Sequence, residues 1–179
     1  MSDQLIPGRV RPGQEGTDEV DRIVAAWRRE RADLDVGPLE VLSRVTRLAR
    51  HLDRHRAAAF AEHDLETWEF DVLAALRRSG EPYLLSPGQL AAETMVTSGT
   101  MTNRIDRLQA RRLVLRAPDP DDGRGVLVTL TDAGRSAVDA ALATLLQRER
   151  TILSGLDAGS RADLAALLRR LALRLDQTP

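Results

Sequence analysis

The sequence contains no cysteine, which excludes disulfides, thiolate–metal sites and thiol redox chemistry. Aromatic residues are only 3% of its 179 positions, and its apolar content rests on Leu, Ala and Val. That balance favours helices over a sandwich or barrel, whose strands are rich in aromatic and β-branched side chains. No apolar run approaches the roughly 20 residues of a membrane span, so no membrane partner is expected. The opening MSDQLIPGRVRPGQEG lacks the apolar core of a signal peptide, and the expected address is the cytoplasm. Lysine is absent too: all 26 basic residues are arginine. A GC-rich genome accounts for that bias, yet any phosphate contact would use a forked, planar donor. Net charge is -1, so a basic face, if there is one, must be local. Catalytic signatures are missing: there is no Ser-His-Asp or Cys-His constellation and no phosphate-binding glycine loop. His51 and His55 form an i, i+4 pair with His63 two turns on. No carboxylate cluster completes a metal site, and a polar flank on an amphipathic helix is the favoured reading. Neither an enzyme nor a cofactor is expected.

What is present is organised around residues 86–131. Ser86-Pro87 reads as an N-cap with proline at the first helical position. Leu90 and Ala91, with Met95 beyond them, are expected to pack inward, and a tight turn falls at 94–96. Thr97 caps a second helix, in which Met101, Ile105 and Leu108 recur as a buried stripe. At about 100° per residue, Gly99, Thr100, Asn103, Asp106 and Arg107 point away from that stripe. Arg104 lies only about 60° from Met101, so it flanks the core and can face an inner cleft. Residues 97–116 hold Arg104, Arg107, Arg111, Arg112 and Arg116 against the single acid Asp106, a local basic excess in a near-neutral chain. Residues 113–116 and 126–130 read as strands joined by an acidic glycine turn at 119–123, with Arg124 at the tip. An arginine on such a tip suits a narrow minor groove. Helix, turn, helix and hairpin make the layout of a winged DNA-binding domain. The candidate DNA contacts are Ser86, Gln89, Thr97, Ser98, Thr100, Asn103, Arg107 and Arg124. Among them, Ser98, Thr100, Asn103 and Arg107 are short or flexible donors suited to base edges and phosphates.

The remainder reads as helices around that unit. Residues 1–16, rich in glycine and proline, are expected to be a disordered tail. A helix over 17–33, capped by Thr17, carries Val20, Ile23, Val24 and Trp27 on one face. A longer one over 39–62 carries Leu42, Val45, Leu48, Leu52 and Phe60. Thr67 is expected to cap the next, with Phe70 at the capping-box position and Trp68, Val72, Leu73 and Leu76 as its inner face. Asp71 sits beside those apolar positions, either facing solvent or partnered. Residues 81–85 form a short extended segment, a candidate third strand. Thr131-Asp132 opens a helix to about 154, and Ser160 is expected to cap a last one bearing Leu164, Leu167, Leu168, Leu171 and Leu175. The terminal helices carry more apolar surface than a wing domain of this size covers. A two-fold dimer interface is the outlet, with an internal core as the alternative for part of it.

Two pieces, MVTSGTMTNRIDRL (95–108) and DPDDGRGVLVTLTDAGR (119–135), resemble the MarR family of winged-helix regulators, and the resemblance covers residues 39–175. The second piece matches that family's wing signature, Asp-x-Arg near the tip followed by a strand and Leu-Thr. The resemblance implies a triangular homodimer on a pseudo-palindromic, double-stranded DNA operator, with recognition helices in successive major grooves. The N-terminal helix bearing Trp27, WEFDVL around Asp71 and TNRIDRL around Arg104 are similar to the urate-responsive branch. That likeness implies an effector cleft at Trp27, Asp71, Arg104 and Arg116, and a urate-like purine or phenolic anion as effector. A planar anion would stack on Trp27 and pair with Arg104 or Arg116, while Asp71 bridges Arg104. The competing reading makes Trp27 dimer core and Asp71–Arg104 a structural bridge.

The expected whole is mainly α with a small β-wing. It comprises the tail 1–16, dimerisation helices over 17–66, a winged helix-turn-helix domain over 67–131 and further dimerisation helices over 132–179. Its expected role is a ligand-responsive repressor; the rival is a protein-interaction adaptor that uses the winged domain without specific DNA binding.

Overall fold

The computed structural model describes residues 16–120, 125–175 and 177. The chain divides into two compact units, Met1–Asp53 and Arg54–Pro179. In the first, helix α1 (Glu19–Glu30) and the start of α2 (Gly37–Ala61) pack through Val20, Val24 and Val36, with Leu39 against them. Asp18, rather than Thr17, caps α1. Its carboxylate accepts from the Asp21 backbone N–H at 3.0 Å, and the Asp21 carboxylate accepts from that of Asp18 at 2.8 Å. Arg44 on α2 donates to both of these carboxylates, at 2.8 Å and 2.6 Å, and Arg47 donates to Glu19 at 2.6 Å. A helix of 12 residues is marginal alone, so this small apolar contact and its ring of ion pairs hold α1.

In the second unit, α3 (Thr67–Arg78), α4 (Pro87–Glu93), α5 (Ser98–Ala110) and α6 (Asp132–Ile152) enclose one core with Phe60, Leu73, Leu76, Leu90, Met101, Ile105 and Leu108 at its centre. Phe60 and Phe70 stack there with ring centroids 3.9 Å apart. Strands β1 (Leu84–Leu85), β2 (Val114–Pro118) and β3 (Val126–Leu130) form an antiparallel sheet in the order β1-β3-β2, with Leu84 opposite Thr129 and Val114 opposite Leu130. The expected third strand and hairpin are thus present. So is the Ser86 cap, whose hydroxyl accepts from the Gln89 N–H at 3.2 Å while Gln89 Oε1 accepts from the Ser86 N–H at 2.8 Å.

Three helix ends explain departures from the sequence reading. After α2, α4 and α5 the chain turns through the left-handed region at Asp64, Met95 and Arg112. In each case the next N–H returns to a carbonyl five residues back: Leu65 to Phe60, Val96 to Ala91 and Leu113 to Leu108. These are helix-stop motifs that usually use glycine. Met95, expected to pack inward, is therefore a turn residue and is 93% exposed. At the start of α3 the cap is Glu66 rather than Thr67. The acid at the third helical position is Glu69, which accepts from the Glu66 N–H at 2.9 Å. The last helix, α7 (Ala158–Leu175), is capped by Asp157, which accepts from the Ser160 N–H at 2.7 Å, and not by Ser160.

Two residues fasten the wing root to α6. Thr131 accepts from the Gly134 N–H at 2.9 Å and donates to the Arg112 carbonyl at 2.9 Å. Gly134 packs so closely that a Cβ there would lie 2.1 Å from the Leu113 carbonyl oxygen. Along α7 and the outer face of α6, Leu142, Leu146, Leu164, Leu167, Leu168 and Leu171 are exposed, the uncovered apolar surface that the sequence implies.

Candidate nucleic-acid interface

Helix α5 is polar outward and apolar inward. Met101, Ile105 and Leu108 are fully buried, and Thr97, Ser98, Gly99, Thr100, Asn103 and Arg107 are exposed. Thr97 caps the helix by accepting from the Thr100 N–H at 3.3 Å. Thr100, Asn103, Arg104 and Arg107 line an open groove of about 550 Å³, whose opposite wall is Glu66 and Trp68. Arg107 donates to Glu66 Oε1 at 2.6 Å and lies 4.6 Å above the Trp68 ring centroid. The Trp68 indole N–H donates to the other Glu66 oxygen at 2.8 Å. That N–H, and then Arg107, hold the Glu66 carboxyl below its usual range, so it is ionised around neutrality.

The sequence does not single out Glu66 or Trp68. Trp68 reads in sequence as part of the inner face of α3, and nothing local ties Glu66 to an arginine 41 positions away. The same holds one turn along α5. Arg111 donates to Glu69, which is only 1% exposed, at 2.6 Å and to the Asp64 carboxylate at 2.7 Å, locking the end of the recognition helix to the start of α3. Ser86 and Gln89 are engaged in capping α4, and Arg124 lies outside the described residues.

The residues expected to line an effector cleft are placed less simply. Trp27 lies on α1 in the first unit and is 49% exposed. Asp71 is half-buried, and its closest cation is Arg56 at 3.8 Å rather than Arg104. The expected Asp71–Arg104 bridge is not formed. Arg104 is half-buried, as its position on the wheel implies, but its guanidinium sits 5.6 Å over Trp68 instead. Burial pushes the Asp71 carboxyl up, opposed by Arg56 and, more weakly, Arg104. Arg116 turns back onto the recognition helix, pairing with Asp106 at 2.5 Å and donating to the Thr102 carbonyl at 3.2 Å. It braces β2 against α5.

A polar helix set after a tight turn, anchored by three buried side chains and flanked by a small antiparallel wing, defines a winged helix-turn-helix DNA-binding protein. The model of the MarR family matches residues 63–125. The HTH-type transcriptional regulator PecS of Dickeya dadantii is 38% identical over 157 residues, which cover 88% of this chain and 95% of PecS. The chain belongs to the MarR family of transcriptional regulators; its relatives are regulators and not enzymes. Among solved structures, a mutant of Escherichia coli MarR complexed with operator DNA is similar at a TM-score of 0.64 and 27% identity, over 77% of this chain and 99% of that one. Bordetella bronchiseptica BpsR, whose DNA binding is regulated by 6-hydroxynicotinic acid, is similar at a TM-score of 0.56 and 32% identity, over 72% and 98%. Members of this family bind DNA as dimers. Among the described residues, no helix is long and apolar enough to cross a membrane.

Proposed function

We propose that the protein is a cytoplasmic, ligand-responsive repressor that binds a pseudo-palindromic operator as a homodimer and is released by a small aromatic anion. The observation that carries the DNA reading is the groove on α5. Thr100, Asn103 and Arg107 converge there on an exposed face whose backbone is anchored by Met101, Ile105 and Leu108. These donors match the acceptors of base edges in a major groove. The uncovered leucines of α6 and α7 supply the second copy with a surface, and two recognition helices then meet two half-sites.

The ligand reading rests on chemistry at the inner flank of the same helix. Arg104 is half-buried and, among the described residues, has no carboxylate partner at ion-pair distance, so a planar anion can pair with it. The regulation of BpsR by a heteroaromatic acid supports that class of effector, alongside urate-like purines and phenols. A coupling of about 1–3 kcal/mol between ligand and DNA lowers operator affinity by about 5- to 150-fold, which is sufficient for release. The test is a mobility-shift and footprinting assay on the DNA upstream of the protein's own reading frame, titrated with 6-hydroxynicotinate, urate and simple phenolic acids. The expected result is a protected two-fold site and dose-dependent release by one of these classes. Absence of any sequence-selective footprint favours the adaptor reading; a footprint that none of the anions dissolves rejects the ligand reading alone.

A further inference from the structure

The first turn of α3 grips two successive arginines of the recognition helix. In the inner pair Glu69 is buried while Arg111 keeps a third of its side chain exposed, and the pair ties the end of α5 to α3. The outer pair, Glu66 with Arg107, is open to solvent, with side-chain exposures of 58% and 54%. Glu66 takes one Nη2 hydrogen of Arg107, while the Trp68 ring lies against the face of the guanidinium. Glu66 is in turn steadied by the Trp68 indole N–H at 2.8 Å. A guanidinium has five N–H donors, and among the described residues only Glu66 takes one from Arg107.

We propose that Glu66, with Trp68 as its platform, is a specificity-determining positioning residue for operator recognition: it buttresses Arg107 in one orientation and leaves the remaining guanidinium edge free for a base acceptor. The proposal rests on Arg107 facing the DNA. An unheld arginine spreads over many rotamers and settles on the nearest phosphate, a contact that carries no sequence information. Holding it in advance removes ordering cost from the base contact alone, so the operator gains and random DNA does not. A carboxylate beside the DNA surface repels phosphate and lowers affinity for every duplex. Glu66 therefore makes opposite contributions to general affinity and to selectivity, and removing its charge separates them.

Three duplexes test this by fluorescence anisotropy: the footprinted operator, a scrambled duplex, and operators with single base-pair changes. Glu66→Gln keeps the size of the side chain and an acceptor for Trp68 but removes the charge. The operator Kd is expected to rise about three- to fivefold, the scale of one exposed charged pair. The scrambled duplex binds as before or more tightly. Base preference flattens at the position that Arg107→Ala flattens, and at no other. In the Arg107→Ala background, Glu66→Gln produces no further loss. Trp68→Phe, which keeps a ring but loses the N–H, gives a smaller loss in the same direction. Operator binding that is unchanged or tighter in Glu66→Gln overturns the proposal, as does a loss that persists without Arg107. If Arg107→Ala itself leaves affinity and base preference intact, the groove reading fails and the proposal with it. If Arg107→Ala weakens the operator complex and Glu66→Gln does not, the buttress alone fails.

Discussion

Gly134 shows how little room the junction between wing and helix leaves. Its amide is taken by Thr131, and the space where a side chain would stand is filled by the Leu113 carbonyl and the Leu130 side chain. Backbone cannot withdraw as a flexible side chain can, so even one methyl must displace β2 from α6. Gly134→Ala is expected to destabilise the fold by about 2–3 kcal/mol, the upper range for overpacking, as a lowered midpoint in urea denaturation. An unchanged midpoint would mean that the wing root shifts freely. Arg116 and Arg104 carry a related lesson. Both are arginines of the basic stretch, yet one braces β2 on the recognition helix and the other lies over Trp68. Their charge was legible from composition, whereas their partners lie ten or more positions away, and periodicity is silent on contacts of that range.

At the scale of the element, α1 is held by a small apolar contact and by side-chain ties. Asp18 does two jobs: it caps the helix and it accepts from Arg44. The Arg44 guanidinium, with the Asp21 amide, lowers its pKa to about 2 from 3.8. A depressed carboxyl stabilises in its ionised form, so this contribution is complete above pH 3.8 and is lost as pH falls through about 2. The docking of α1 on the start of α2 should therefore loosen in that acid window. Trp27, carried on α1, reports the change as a shift in its emission in a Trp68→Phe background. Asp18→Asn is expected to show the loosened signal already at neutral pH, and a titration identical to that of the parent would exclude the tie. The existence of α1 was readable from Val20, Ile23, Val24 and Trp27. Its cap was misplaced by one residue, because Thr17 and Asp18 are both good caps and only the reciprocal bond with Asp21 separates them. The helix stops at Asp64, Met95 and Arg112 were harder to read: none is the glycine that usually marks a left-handed stop.

For the whole molecule, the decisive quantity is the apolar surface left uncovered. The leucines of α7 are exposed along the helix, and because the family binds DNA as dimers we propose this stripe as the surface for a second copy. Leu167 and Leu171 are one turn apart on α7. The double substitution Leu167→Glu, Leu171→Glu is expected to convert the dimer to a monomer in sedimentation velocity. Operator affinity should fall by roughly a hundredfold or more, because joining two half-site readers gains about 10²–10⁴ in avidity. A variant that stays dimeric places the interface elsewhere.

Helix periodicity, the caps at Ser86, Thr97 and Thr131, the buried stripe of α5 and the strands of the wing were all written locally, within spans of a few residues. Local order of that kind is set by backbone geometry and by which face must leave water, and both can be read from a one-dimensional pattern. The pairings that give the reading helix its chemistry were not of that kind. Glu66 with Arg107, Glu69 with Arg111 and Arg116 with Asp106 join positions that only packing brings within hydrogen-bond distance. A charged side chain has no periodic signature of its partner; the fold selects it by placing one acceptor within reach of several arginines.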